Sequence, residues 1–543
     1  MKRLTSFLVA LFLATATLLA YDFQSGDLYY IVTGKYTVEV TCQDIWYISN
    51  YSMLSGEVEV PSQVTYKGVT YDVTGVGITA FHNSPIRSIT LPNSIHYISE
   101  QAFIGCKNLE TIHIPTTVTH IGISAFGDTK WYDNQPNGAV YINDILYKYK
   151  GEMTDNTSFA VPENIHSISG GAFANCVNLA DIIVPAGVTD IGDKAFAGTT
   201  WYNNLPQGEI YINQVLYGYK GDIPANTSLV IKEGTISVTE SAFALNDSII
   251  SVYIPSSLKS IGQWAFRDCD SIHSFAVSAD NPYYSCKDGV LFDKQQITLV
   301  QYPAAKQQTT YNIPYSVSSI GFCAFRGNSY LQSIALNNIS FIASQAFIDC
   351  SALQAIDIPN GICGIGGYTF DWCRDLARIT IPNSVQYMGE RVFAGCSSLS
   401  SIIIPDGVES IGYQAFSNCT NLSSVTCHAT IPPYMGAYSE EHDFVFNGVE
   451  TSLIPLYVPA ASVERYRAAE QWKEFDVRPI QDTPTNIKNC IGENIQVAGK
   501  SVFCAEPFHI YDMQGREVTA NNGNLQGMYI IVTATIAQKV LVP

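Results

Sequence analysis

The chain has 543 residues, with 29 Lys and Arg against 48 Asp and Glu, so its formal net charge is −19 at pH 7. That length predicts several domains or one long repeat array. An acidic chain is poorly suited to binding nucleic acid, because phosphate contacts need clustered Lys and Arg. Only 14% of the residues are charged and 47% are hydrophobic, which excludes a generally disordered chain.

Residues 1–20 have the pattern of a secretory signal peptide. Lys2 and Arg3 precede an apolar stretch at 7–19, which small residues close. The alternative is a membrane anchor, but spanning a bilayer takes about 20 apolar residues. No later stretch is apolar enough to span a membrane, so we expect the mature chain to lack an integral membrane segment. The predicted location is secreted or at the outer-membrane surface, and released and anchored forms both stay open.

The cysteines follow a pattern that does not suit disulfides. Fourteen Cys in an exported chain would first suggest a disulfide framework. Seven of them, however, lie three residues after a Phe: Cys106, Cys176, Cys269, Cys350, Cys373, Cys396 and Cys419. A cysteine at one fixed place in a repeat is better explained as a small buried apolar residue. We therefore predict reduced thiols in the core.

The strongest feature of the sequence is a repeat of 22 or 23 residues. A phenylalanine marks each copy, with longer gaps of 47 (twice) and 59: Phe81, Phe103, Phe126, Phe173, Phe196, Phe243, Phe266, Phe325, Phe347, Phe370, Phe393 and Phe416. A Pro stands eleven residues before this Phe in nine of the twelve copies. The regular spacing predicts a solenoid, in which each coil buries its apolar face on the next. We expect about twelve to fifteen coils, ~4.8 Å apart.

One copy, residues 109–126, shows how a coil would form. Leu109, Ile112 and Ile114 have the spacing of a strand with its apolar side chains inward. Pro115 ends this strand because it has no N–H for a further ladder bond. A Gly then permits the turn that leads to the Phe.

The long gaps hold inserts, at 127–157, 198–228 and 277–310. The first two contain near copies that start with Trp-Tyr, and each predicts a β-hairpin. Their aromatic residues Trp131, Tyr132, Trp201 and Tyr202 could form a binding surface. The interpretation that we favour is that they pack against the flank of the solenoid, and the binding surface stays open as the other.

The pattern Leu-x-x-Ile-x-Ile-Pro-x-x-Val-x-x-Ile-Gly-x-x-Ala-Phe-x-x-Cys resembles the BspA-type leucine-rich repeats of Bacteroidetes surface proteins and some protist proteins. The inserts and the stretch 58–76 are also similar to parts of that family. The resemblance covers about 22–480. It implies a right-handed leucine-rich-repeat solenoid with a parallel sheet on one face. It also implies adhesion to host matrix proteins or to other bacteria.

The predicted organisation follows from the extent of the repeat. An N-terminal cap at 21–75 precedes the solenoid at 76–427, and a C-terminal cap follows at 428–480. Within that cap, residues 460–475 predict a helix and Ile431-Pro432-Pro433 predicts a short strand. Pro and Asp mark a linker at 481–489.

Residues 490–543 predict a small β-sandwich. Strand-like runs such as 508–512 and 528–532 are separated by Gly and Asn. The runs at 511–516, 525–529 and 539–542 resemble the C-terminal sorting domain of type IX secretion cargo. That resemblance implies passage across the outer membrane, whereas the plainer interpretation is an accessory sandwich.

No motif of catalysis survives inspection. The run Ala498-Gly499-Lys500-Ser501 ends like a phosphate-binding loop, but the preceding Gly492 leaves six intervening residues where four are required. The acidic run at 440–443 is better explained as a solvated loop than as a cation site. We predict no catalytic residue, no metal ligand and no cofactor, and hence a protein that is not an enzyme.

The sequence therefore predicts a secreted or surface-displayed binding protein whose strand face contacts a macromolecule. The expected contact residues on the strands are Thr90, His113, Tyr253, Asp357 and Thr380, joined by the four aromatic residues of the inserts. The expected partner is an extracellular protein, either of the host matrix or of a bacterial surface. The alternatives are glycan capture by the Trp-Tyr inserts and a structural surface-layer role.

Overall fold

The computed structural model describes residues 23–42, 54–436, 444–480, 495–498, 501–504, 508–512, 518–519, 527–533 and 537–542. The predicted signal peptide at 1–20, the linker at 481–489 and the acidic run at 440–443 lie outside these residues. The chain divides into two compact units, Met1–Pro479 and Ile480–Pro543.

The N-terminal cap is a sheet that leads into the coils. Its strands are β1 (Phe23–Ser25), β2 (Leu28–Gly34), β3 (Thr37–Thr41), β5 (Gln63–Tyr66) and β6 (Val69–Val76). β1, β2 and β3 pair antiparallel, and β3 then pairs parallel with β6. The cap thus supplies the first parallel rung on which the repeats stack.

Each coil contributes one long strand whose central residue is buried and whose neighbours point outward. These strands stack in parallel, with Ile89 opposite Ile112 and Ile356 opposite Ile379. They are β4 (Gly56–Glu59), β7 (Ile86–Thr90), β9 (Thr111–His113), β13 (Thr157–Ala160), β15 (Leu179–Ile183), β19 (Thr227–Val230), β21 (Ile249–Ile254), β23 (Ser274–Val277), β27 (Thr310–Asn312), β29 (Ser333–Ala335), β31 (Ala355–Asp357), β33 (Arg378–Thr380), β35 (Ser401–Ile404), β37 (Ser424–Cys427), β39 (Pro455–Val458) and β40 (Asp476–Pro479).

A second ladder of short parallel strands lies between the Pro and the Phe of each coil. Its strands pair in five separate runs. The first leads from β6 to β8 (Tyr97–Ile98) and β10 (His120–Ile121), and the second contains β12 (Ile145–Lys150), β14 (Ser167–Ile168) and β16 (Asp190–Ile191). The others are β18 (Val215–Lys220), β20 (Ser237–Val238) and β22 (Ser260–Ile261); β26 (Thr298–Gln301), β28 (Ser319–Ile320) and β30 (Phe341–Ile342); and β32 (Gly364–Ile365), β34 (Tyr387–Met388), β36 (Ser410–Ile411) and β38 (Tyr434–Met435).

The recurrent phenylalanines form the centre of the core. Their rings stack from coil to coil, at 5.0 Å between Phe81 and Phe103 and 4.8 Å between Phe325 and Phe347. A third ladder accompanies them, since the Phe103 N–H donates to Ala125 O (2.7 Å). Where no insert intervenes, neighbouring coils such as those of Phe81 and Phe103 are therefore joined by two strand pairings, one ring stack and one turn.

The inserts carry further rungs of the solenoid. The N–H of Tyr149 donates to Ala172 O, and that of Tyr302 to Ala324 O, so both tyrosines occupy the place of a Phe. The solenoid has about 17 turns, so the prediction of twelve to fifteen was too low. Tyr149 and Tyr302 account for two of the turns beyond the twelve that a Phe marks, and Phe446 of the C-terminal cap adds another, since its ring stacks 5.0 Å from that of Phe416.

The first two inserts begin with a short helix that the sequence did not predict. They contain α1 (Lys130–Asp133) and β11 (Gly138–Ile142), or α2 (Thr200–Asn204) and β17 (Gly208–Ile212). β11 pairs antiparallel with β12, and β17 with β18. The third insert contains β24 (Tyr284–Lys287) and β25 (Val290–Asp293), which pair antiparallel with each other, and β25 pairs likewise with β26.

The C-terminal cap differs from the predicted continuous helix at 460–475. A 3₁₀ turn precedes α3 (Val463–Ala468), and a second 3₁₀ turn, Trp472–Glu474, follows it. The positive φ of Gln471 (60°) breaks the helix between them. Residues 431–433 form no strand, because two consecutive prolines cannot donate ladder bonds.

The unit Ile480–Pro543 is described only by its strands. β41 (Ile495–Ala498) pairs antiparallel with β42 (Ser501–Cys504), while β43 (Phe508–Asp512), β44 (Gly527–Thr533) and β45 (Ala537–Val542) form a second antiparallel sheet. A packing of these two sheets into a sandwich stays a prediction.

Candidate functional site: the outward face of the long strands

Two rows of side chains point outward from the long strands, and together they form what we call the strand face. The row before the central buried residue is rich in hydroxyl groups: Ser88, Thr111, Ser228, Ser251, Ser274, Thr310, Ser333, Ser401 and Ser424. The row after it contains Thr90, His113, Ile183, Val230, Tyr253, Asp357, Thr380 and Ile403. All five predicted strand contacts therefore lie in one row.

Apolar side chains are exposed at four places in the second row. The exposed fractions are 61% for Ile183, 56% for Val230, 39% for Tyr253 and 57% for Ile403. Val230 and Tyr253 are neighbours across paired strands. Val230 was missed by sequence reasoning, although its place next to the inward Leu229 could have identified it.

The predicted residues fall into three patches rather than one continuous row. Thr90 is opposite His113 on β7 and β9, while Asp357 is opposite Thr380 on β31 and β33. Tyr253 lies on a third sheet, formed by β19, β21 and β23. The helices and the third insert interrupt strand pairing between these sheets.

The patch at Asp357 is a small polar network. Arg378 Nη1 donates to Asp357 Oδ1 at 2.7 Å, and Thr380 Oγ1 donates to the same oxygen at 2.5 Å. These two hydrogen bonds hold the pKa of the Asp357 carboxyl below its usual range, and the bond from Arg378 has the larger effect. Asp357 is thus a fixed acceptor and carries no proton for acid catalysis at neutral pH.

The aromatic residues of the inserts pack on the flank of the solenoid. The Trp131 ring lies 5.4 Å from that of Phe126, and Trp201 lies 4.9 Å from Phe196. All four residues are half-buried. Tyr132 and Tyr202 each meet a buried tyrosine edge-on at 5.9 Å: Tyr147 and Tyr217, respectively. Much of each ring is therefore occupied by the core, which leaves only part of it for a ligand.

Within the described residues, no three or more His, Cys, Asp or Glu side chains are placed to hold a metal ion. The same part of the chain contains no helix of the length and apolarity that a membrane crossing requires.

Comparison with known proteins agrees with the geometry of the coils. The family described as BspA type leucine-rich repeat region matches in six copies over residues 74–203, 219–306 and 302–423, which is more than half of the chain. The chain belongs to the BspA-type leucine-rich repeat family. No curated protein matches it.

The chain is also similar to several solved structures. A leucine-rich repeat protein from Eubacterium ventriosum is 19% identical, with 75% of this chain and 84% of that chain covered and a TM-score of 0.38. The pneumococcal vaccine antigen PcpA is 18% identical (85% and 99% covered, TM-score 0.31). A leucine-rich repeat protein from Bacteroides ovatus is 26% identical (85% and 100% covered, TM-score 0.32).

Proposed function

We propose that the chain is an exported, non-enzymatic protein that binds other proteins through its strand face. The observation that carries the proposal is the exposure of Ile183, Val230, Tyr253 and Ile403, which all lie in the outward row that follows the buried central residue of a long strand. Apolar side chains that water surrounds in the free protein gain free energy when a partner covers them. The family supports a surface or protein-binding role in general.

The chemistry of the face suits contact better than catalysis. Its other row consists mostly of Ser and Thr, which can donate and accept hydrogen bonds with any polypeptide. A catalytic site needs acid and base groups in matched geometry, and the strand face offers none among the described residues. We therefore propose host matrix proteins or bacterial surface proteins as partners, outside the cell or at its outer surface.

Binding of the purified chain to arrays of matrix proteins and of polysaccharides tests this function. Saturable binding to a protein spot is the expected result. Binding to polysaccharides alone would contradict it.

Glycan capture is the second candidate, because two near-identical Trp-Tyr sites lie seventy residues apart and stay half-exposed. Sugar rings bind by stacking on such aromatic groups. If this candidate is right, soluble polysaccharide will compete for binding, and Trp131→Ala or Trp201→Ala will weaken it. If neither variant changes binding, the inserts serve only to pack the solenoid.

We further propose that residues 490–543 act as a type IX sorting domain. Deletion of these residues should leave the protein in the periplasm, as fractionation and surface proteolysis would show. A deletion of the same size elsewhere is no fair control, since it would remove coils. The control is therefore a fusion of residues 490–543 to a periplasmic reporter protein, and this fusion should reach the cell surface. Unchanged surface display of the deleted chain would overturn this proposal.

A further inference from the structure

The turn ladder that joins the coils is interrupted at the third insert. In the preceding coil, the N–H groups of Ser241, Phe243 and Leu245 donate to Gln263 O (3.1 Å), Ala265 O (2.9 Å) and Arg267 O (2.7 Å). The equivalent N–H groups of the next coil belong to Trp264, Phe266 and Asp268. These find no acceptor in the part of the chain that the structure describes.

The other two inserts also interrupt the turn ladder, but each closes the amide of its Phe with a tyrosine. The hydroxyl of Tyr147 accepts the N–H of Phe126 at 2.8 Å, and that of Tyr217 accepts the N–H of Phe196 at 3.2 Å. In the third insert, the hydroxyl of Tyr284 instead accepts the N–H of Ile261, on the short strand. The amide of Phe266 is left open.

A cleft of about 220 Å³ lies at this open edge. Phe266, Phe275 and Val300 contribute apolar walls, and the rings of Trp264 and Phe322 lie 5.9 Å apart at its border. The indole N–H of Trp264 is buried there without a partner. The amide of Phe266, whose counterparts in the other inserts are not left open, and the buried indole of Trp264 are therefore two donors that a ligand with acceptors would satisfy.

The charges around the cleft are balanced, which favours a neutral acceptor over an anion. Arg326 Nε lies 2.5 Å from Asp268 Oδ1. Arg267 Nε lies 3.3 Å from Asp268 Oδ2, close enough for an ion pair, but it makes no hydrogen bond. Asp270 supplies the second negative charge of the lining. The peptide carbonyl is the neutral acceptor that repeats along a chain at the spacing of alternate N–H groups.

The size of the cleft also narrows the class of ligand. Sites for whole small molecules measure about 300–1,000 Å³, whereas an apolar cavity of ~150 Å³ holds one benzene ring. A volume between these limits suits one bulky apolar side chain.

We propose that the cleft takes an extended segment of a partner protein, with its carbonyls on the open N–H edge and an aromatic side chain inside. This inference rests on the proposed function, because it assumes a protein partner. Peptides that add to an open backbone edge are held by main-chain bonds, and pockets for single side chains select the sequence.

The probe is acetyl-Ala-Phe-Ala-N-methylamide, with acetyl-Ala-Ala-Ala-N-methylamide as its matched control. Added to the full chain, the Phe peptide should slow hydrogen exchange at the amide of Phe266 at least tenfold at saturation. The amide of Phe243 is already bonded within the ladder and should not change. The Ala peptide should bind more than about tenfold more weakly, because burial of a Phe side chain contributes about 1.5–3 kcal/mol.

Trp264→Gly removes the wall and the indole donor without backbone strain, since the φ of Trp264 is +60°. Trp372→Gly is its matched control, because Trp372 has a φ of +61° but donates its N–H to Ala394 O. Trp264→Gly should weaken binding of the Phe peptide at least tenfold, and Trp372→Gly should leave its binding unchanged.

Unchanged exchange at Phe266 with the Phe peptide present would overturn the proposal, as would equal binding of both peptides. If matrix proteins bind the chain and the peptide does not protect Phe266, the cleft proposal fails while the proposed function stands. If the peptide protects Phe266 but no protein on the arrays binds the chain, the cleft proposal stands and the proposed function fails.

Discussion

At the scale of single residues, the recurrent cysteine acts as a hydrogen-bond donor as well as a core residue. The thiol of Cys106 donates to Phe81 O at 2.8 Å, and that of Cys396 donates to Phe370 O at 3.2 Å. Burial raises the pKa of the Cys106 thiol to about 12. The twelve cysteines whose side chains the structure describes are free, as the prediction of reduced thiols required, but the donor role was missed.

Cys396→Ala tests this role. The variant should lower the free energy of unfolding by about 1–2 kcal/mol, because it loses a buried hydrogen bond and leaves a small cavity. The cost stays modest because Phe370 O still accepts a hydrogen bond from the N–H of Cys373, at 3.2 Å, in the variant. Cys363 is exposed, so Cys363→Ala is the control and should change stability by less than about 0.5 kcal/mol. Equal effects in urea unfolding would refute the thiol ladder.

Glu39 makes the stability of the N-terminal cap depend on pH. Burial raises the pKa of Glu39 to about 7, and the Tyr97 hydroxyl donates to its Oε2 at 2.8 Å. The pKa of Glu39 is higher in the folded chain than in the unfolded one, so protonated Glu39 contributes to the free energy of unfolding. This contribution is complete below about pH 4.5 and is lost as the pH rises to about 7.

Glu39→Gln should therefore stabilise the chain at pH 8 and change it little at pH 4. The expected gain is about 1–2 kcal/mol, less than the full shift in pKa implies because the side chain keeps some contact with water. Thermal unfolding at the two pH values measures it. The exposed Glu409→Gln serves as the control, and a gain of equal size at pH 4 would contradict the explanation.

At the scale of elements, each of the first two inserts closes the solenoid with one tyrosine hydroxyl. Tyr147→Phe should leave the buried amide of Phe126 without an acceptor, at a cost of about 1–3 kcal/mol. Faster hydrogen exchange at Phe126 would accompany the loss. Tyr253→Phe removes a hydroxyl from the exposed strand face and should change neither quantity. Unaltered exchange at Phe126 in Tyr147→Phe would exclude the hydroxyl as the closing group.

The strands and the core could be predicted because the apolar period is strict. Ile112 and Phe126 could be assigned to the interior from spacing alone. The rungs of Tyr149 and Tyr302 were missed because a Tyr replaces the Phe, although both keep the period: Tyr149 is 23 residues after Phe126, and Tyr302 is 23 residues before Phe325. α1 and α2 were missed because four or five residues are too few to show a helical period.

The candidate site was predictable only in part. The outward row follows from strand alternation, so Thr90 and Tyr253 could be placed on it. The division of that row into patches depends on helices and on how neighbouring coils pair, which one sequence does not express. The cleft at Phe266 could not be predicted for the same reason, since it lies where the next coil supplies no acceptor for the amide of Phe266.

At the scale of the whole molecule, the solenoid spreads its contacts over an extended surface. The net charge of −19 is not concentrated on the strand face, whose rows are mostly neutral. The free energy of binding should then depend on the apolar side chains that a partner buries rather than on charge.

The most direct test of this account is one binding experiment with three forms of the chain on matrix-protein arrays. They are the wild type, the combined strand-face variant Ile183→Ser, Val230→Ser and Tyr253→Ala, and the control Tyr315→Ala. Tyr315 is 78% exposed but lies in a loop, away from the strand rows. The account predicts at least tenfold weaker binding for the strand-face variant and unchanged binding for the control. Equal binding by all three folded forms would contradict it.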